Sequence, residues 1–176
     1  MLQVKQTFIH RPELEIEADF SGEKPPVFRY RLIATKVGSS AAPKTVCAIM
    51  QNPSYACVGY ADKSVQVLER VVFEKGLKEF RGVGRLIIVN QFAFIQTNGF
   101  IGAREQVGAR NDAAIDQALE QSEIILIAWG KDNRFVERQN EILEMISRHQ
   151  GKRLLKTSRH PSRVVYEGFI QEYRLT

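Results

Sequence analysis

Asn52 and His160 each stand beside a proline, in Met50-Gln51-Asn52-Pro53-Ser54 and Ser158-Arg159-His160-Pro161-Ser162, directly after stretches that read as buried strands. An amide offers a donor and an acceptor in fixed orientation, and an imidazole gives or takes a proton near neutral pH. In an open α/β sheet ligands bind outside the carboxyl ends of the strands, so the two elbows are expected to face one another across a site. Pro53 biases Asn52 to an extended conformation that frees its amide to hold a water. The alternative for Asn52 is an Asx-turn that starts the loop, and for His160 a satisfied structural histidine.

Two more strand exits carry polar or unusual residues. Asn90 ends a wholly apolar run, where its amide can present one donor and one acceptor to a ligand; otherwise it caps a loop. Trp129-Gly130 ends another, and Gly130 permits close backbone approach, while packing is sufficient reason for Trp129. The stretch from Asn90 to Arg110 is longer than usual connections and holds Asn98, Gly99, Gly102, Arg104, Gly108 and Arg110. Such a loop is either a binding segment able to track phosphates or a mobile surface excursion with solvated charges.

The elements that must position these residues alternate. Phe28 to Lys36 reads as a strand with one wet face, and Thr45 to Met50 as a short buried strand. Asp62 to Lys75 carries Val65, Leu68, Val71 and Val72 at helical spacing and is closed by Gly76. Arg85 to Asn90 is a buried strand, and Asp112 to Gln121 a helix capped by Asn111 or Asp112. Ile124 to Trp129 is a third buried strand. Asn133 to His149 is a helix with Val136, Ile142, Leu143 and Ile146 inward, and Arg153 to Lys156 begins a fourth strand. This order predicts a three-layer α/β/α fold around a central, mostly parallel four-stranded sheet. The first 26 residues, through Pro25-Pro26, read as an N-terminal arm, edge strand or hairpin on a single domain spanning 1–176.

The 176 residues, 44% hydrophobic and 26% charged, suit one globular domain. No run of about 18 apolar residues occurs, so the expectation is a soluble, cytoplasmic protein without membrane association. Two cysteines, Cys47 and Cys57, and three scattered histidines fit neither a disulfide framework nor a metal site, so no metal and no cofactor is expected. A formal net charge of +5 permits an anionic partner. The phosphate-binding GxxxxGK[ST] loop, the dinucleotide GxGxxG turn and the Gly-x-Ser-x-Gly elbow are all missing, which disfavours nucleotide hydrolysis, dinucleotide redox chemistry and serine-hydrolase chemistry.

Taken in order, Gln51-Asn52-Pro53-Ser54, the strand ending at Asn90, Trp129-Gly130 and His160-Pro161-Ser162 followed by Val165-Tyr166-Glu167-Gly168-Phe169 resemble the uracil-DNA glycosylase superfamily across most of residues 45 to 170. The resemblance implies that Asn52 positions a hydrolytic water, Asn90 reads a base edge and His160 stabilises the departing base. It makes Asn52 and His160 the expected catalytic residues. It makes Gln51, Pro53, Ser54, Tyr55, Asn90, Phe92, Trp129 and Gly130 the expected substrate-binding residues, with Tyr55, Tyr60 or Phe92 as aromatic platform. Ser162, Arg163, Val164, Arg104 and Arg110 become the expected nucleic-acid contacts. An amide cannot act as a general base, so any N-glycosidic hydrolysis is expected to rest on water positioning. The alternatives are a non-catalytic module recognising a nucleotide or modified base and a small-metabolite-binding protein. The chain also resembles a small bacterial family, the domain of unknown function numbered 1643, through its Asn-Pro-Ser, Asn-Asp, Trp-Gly and His-Pro signals.

Overall fold

The computed structural model describes residues 8–176; the part of the expected arm before Phe8 lies outside them. Among the described residues one sheet contains β1 (Leu14–Phe20), β2 (Arg29–Lys36), β3 (Lys44–Met50), β4 (Val83–Asn90), β5 (Ile124–Ile127), β6 (Arg153–Thr157) and β7 (Ile170–Glu172), in the order β1-β2-β4-β3-β5-β6-β7. It therefore has seven strands, where the sequence led to a central four with an N-terminal edge strand or hairpin beside them. β3 runs parallel to β4 and β5, and β5 parallel to β6. β1 pairs antiparallel with β2, β2 with β4, and β7 with β6.

Three α-helices cover it: α1 (Lys63–Phe73), α2 (Asn111–Glu120) and α3 (Val136–Ser147). Strands buried on both faces need apolar residues at consecutive positions, and β3, β4 and β5 have them. On one face Val46, Ala48, Leu86 and Ile88 meet Val65, Leu68 and Val71 of α1. On the other, Cys47, Ile49, Ile87 and Ile125 meet Ile115 and Leu119 of α2 and Ile142 and Ile146 of α3. The chain leaving β3 thus turns to one face, while the chains leaving its neighbours β4 and β5 turn to the other. A crevice opens at such a divergence, outside the carboxyl ends of the strands.

Several sequence expectations need correction. β2 has no wet face: Leu32 and Ala34 enter the α1 core and Ile33 the opposite one, because helices cover both sides. β5 ends at Ile127, two residues before Trp129. α3 starts at Val136, not Asn133, since Asp132 instead accepts the backbone N–H and guanidinium of Arg134 in a turn, and Val136 is exposed rather than inward. Neither Asn111 nor Asp112 caps α2. Asn111 is its first residue, and its Nδ2 donates to the carbonyls of Asn90 at 3.0 Å and Gln91 at 3.1 Å. The Asn90–Arg110 loop is tied down, with Ala93 N–H donating to the Val107 carbonyl and Phe94 N–H to that of Gln106.

His10 fastens the chain ahead of β1. Its Nδ1 meets the fully buried Glu69 carboxylate of α1 and its Nε2 lies 2.7 Å from the Cys57 carbonyl. Both partners are acceptors, so only the imidazolium satisfies both. Burial opposes that charge, but the hydrogen bonds to Glu69 and Cys57 outweigh it and hold the His10 pKa above its ordinary value. A raised folded-state pKa gives stability that is fully present below the unfolded value, near 6.5, and lost as pH rises through the folded one. Thermal unfolding followed from pH 6 upward is therefore expected to show a falling melting temperature, and His10→Gln to flatten that dependence. An unchanged slope in the variant would assign the loss to other groups.

Candidate functional site

The β3 elbow stays stitched to the exit of β4. Gln91 N–H donates to the Met50 carbonyl at 2.8 Å, Phe92 N–H to Gln51 at 2.9 Å, and Gln96 N–H to Pro53 at 3.0 Å. Asn52 completes this seam: its Nδ2 donates to the Gln96 carbonyl at 2.7 Å and to Pro53 at 3.2 Å, and its Oδ1 accepts from Gln51 Nε2 at 3.3 Å. The amide is thus engaged in shaping the loop, by a partner 44 residues away in the chain. Ser54 and Thr97 hydroxyls meet at 2.8 Å across the same seam.

The second elbow leaves β6. The Ser162 backbone N–H donates to His160 Nδ1 at 3.2 Å, capping the single 3₁₀ turn Pro161–Arg163. An N–H can only donate, so Nδ1 carries a lone pair and the ring proton sits on Nε2. Burial lowers the His160 pKa; Asp62 and Asp132 raise it and Arg163 adds to the lowering, with a net downward shift. The imidazole is neutral at pH 7, and Nε2–H is its one donor, without a partner among the described residues. Gly130 explains how this elbow reaches its place. Its φ is +77°, and a Cβ there would lie 2.5 Å from the His160 backbone nitrogen.

Between the elbows lies a cleft of about 1000 Å³. Gln51, Asn52, Ser54, Tyr55, Trp129, His160, Ser162 and Arg163 line it, so eight of the expected residues meet there. Asp62, which the sequence offered only as the start of a helix, also lines it. Its Oδ1 accepts the Val65 N–H at 2.9 Å as the cap of α1. Five basic side chains, Lys63, Lys131, Arg134, Arg159 and Arg163, face two acidic ones, Asp62 and Asp132. Arg134 is paired with Asp132, whereas the other four cations form no ion pair among the described residues. Low-dielectric walls carrying an excess of one sign concentrate counter-ions, here anions.

Other expected residues stand elsewhere. Phe92 is buried in an edge-to-face cluster with Phe100 and Phe135. Arg104 pairs with Glu141 at 2.7 Å, while Arg110 pairs with Asp19 and lies 4.2 Å over the Tyr30 ring. Neither arginine lines the cleft. Val164 packs against the core rather than projecting.

Asn90 is fully buried, and both polar atoms of its amide lack a hydrogen-bond partner among the described residues. Strand alternation places it on the α1 face with Leu86 and Ile88; it does not itself line the cleft, but its register partner on β3, Met50, does. Arg29, which the sequence did not flag, is also fully buried, with Nε and Nη2 unpartnered among the described residues and Nη1 donating to the Ala56 carbonyl at 2.9 Å. A register shift between Asp19 and Phe20 of β1 accompanies its turn into the interior. Burial pulls its pKa down to about 10, with Asp62 and Cys57 opposing.

The chain belongs to a family described only as a protein of unknown function (DUF1643), whose sequence model matches residues 29–162. That span begins at Arg29 and ends at Ser162, and it encloses both elbows and every residue that lines the cleft except Arg163. No curated protein and no solved structure gives a significant match. Among the described residues no helix is long and apolar enough to cross a membrane.

Proposed function

We propose that the cleft is a nucleobase-recognition site of uracil-DNA-glycosylase-like architecture, with nucleic acid as its ligand. The observation that carries the reading is the buried Asn90 amide. A buried polar group without a partner costs about 1–3 kcal/mol, so one that persists is expected to take a partner from outside the chain, an ordered water or a ligand, and the adjacent Gln91 amide is in the same position. The lactam edge of a base supplies a donor and an acceptor together. The unpaired cations of the cleft suit the phosphates that accompany such a base.

Binding is the function this geometry supports best, because the Asn52 amide is already engaged within its loop. Hydrolysis of an N-glycosidic bond is the second reading. It is favoured by the neutral His160 Nε2–H, a donor suited to negative charge on a leaving base, and by the Asp62 carboxylate in the same cleft, whose Oδ2 accepts no hydrogen bond among the described residues. The test is base release from end-labelled oligonucleotides carrying uracil, hypoxanthine or xanthine, with His160→Ala and Asp62→Asn as controls and binding measured in parallel. Salt-sensitive binding without release is the expected outcome. Release that both substitutions abolish would establish the hydrolase, and neither binding nor release would overturn both readings.

A further inference from the structure

We infer that the cleft takes its nucleic acid as a single strand, with bases stacked on Tyr55 and Tyr60 and the backbone running past Lys63, Lys131, Arg159 and Arg163; this rests on the nucleobase reading and adds the strand state. Tyr55 lines the cleft, and its ring lies 6.1 Å from that of Tyr60, tilted by 40°. Each is 46% exposed, so both rings present open apolar surface to solvent. Two open rings side by side at a basic groove are what unpaired bases need, since every base has a face to stack and the backbone needs only charge.

Size and shape agree. A volume of about 1000 Å³ stands at the upper end of small-ligand pockets, which run from about 300 to 1000 Å³, and leaves room for neighbouring nucleotides beside one recognised base. Duplex DNA hides base faces within its stack, and exposing one requires an apolar side chain free to enter between base pairs. After the second elbow Val164 is partly buried against the core, and Tyr166 is held beneath Lys75, whose Nζ lies 4.1 Å from its ring. Val165 is exposed but short. The side chains able to stack are therefore on the Tyr55 side, where they meet bases already unstacked.

The test is fluorescence anisotropy with one labelled oligonucleotide, free and annealed to its complement, at rising salt, together with the corresponding free nucleosides. The expected result is at least about 10-fold tighter binding of the single strand. The log–log salt slope should lie near −2 to −3, as about three to four phosphate contacts give. Tyr55→Ala and Tyr60→Ala should each weaken binding by about 5- to 100-fold, and Tyr55→Phe, which keeps the ring, should restore most of it. Both side chains are half exposed, so the folded state should survive these changes, checked by thermal unfolding. Equal or tighter binding of the duplex, or alanine variants that bind like the wild type, would overturn the inference. If a nucleoside binds and the single strand binds no better, the nucleobase reading stands and the single-strand inference fails. If neither binds, both fail.

Discussion

Replacing Asn90 with leucine is expected to raise the melting temperature while abolishing binding of the base-containing ligand. Both polar atoms of the amide are buried and without partners among the described residues, so the folded state carries their desolvation cost without return. Such a cost is about 1–3 kcal/mol, and an apolar group of similar shape removes it. Leu86 and Ile88 on the same face show that the surroundings accept an aliphatic side chain. A gain of about 1–2 kcal/mol corresponds to roughly 2–8 °C for a chain of this size. Ligand affinity should fall by at least about 10-fold, the equivalent of one lost hydrogen-bonded edge. Most core substitutions destabilise, so a rise coupled to lost binding is a distinctive signature of a residue kept for function. A lower melting temperature with binding intact would mean that the amide serves the fold, and would remove the main support for nucleobase recognition.

What the sequence made legible follows from how local each cause is. β3, β4 and β5 are runs of consecutive apolar residues, which a strand buried on both faces requires, and α1 has a clear helical stripe with a capping aspartate at its start. Because β3 and β6 are parallel strands of one sheet, their exits share one end, and that alone brings Asn52 and His160 to the same cleft. β1 and β7 were hard to place for the opposite reason: an edge strand has one neighbour, and the three-residue β7 has too few positions to show alternation.

The roles of individual polar side chains were less legible because their partners are distant in the chain. Asn52 is fixed by Gln96, Arg104 by Glu141, and Arg110 by Asp19. Each looked available when only its neighbours were in view. Arg29 belongs to a run that alternates like a half-exposed strand, Arg29-Tyr30-Arg31-Leu32, and only the irregular pairing of β1 with β2 turns it inward beside Ala56. Asn111-Asp112 has the composition of a helix cap, yet Asn111 instead joins the start of α2 to the exit of β4, the strand that carries Asn90. The buried polar residues Arg29 and Asn111 were thus the part that periodicity could not reveal.

Gly130→Ala is expected to do more damage than its single methyl group suggests. At φ +77° any side chain is strained, which costs about 1–3 kcal/mol by itself. Here the new Cβ would also lie 2.5 Å from the His160 nitrogen and 3.1 Å from its Cα. These are backbone atoms, so relief requires moving the elbow that holds His160, Ser162 and Arg163 against the cleft. Gly151 isolates the two effects, because it has nearly the same φ, +76°, with nothing within 4 Å of the place a methyl group would take. Gly151→Ala should lower the melting temperature by roughly 2–12 °C through strain alone and leave ligand binding unchanged. Gly130→Ala should fall further and lose at least about 10-fold in affinity, with the His160 ring resonances shifted in an NMR spectrum. Equal melting temperatures and equal affinities for the two variants would mean that the elbow yields without consequence, and the tight seating of His160 against Gly130 would then have no part in shaping the site.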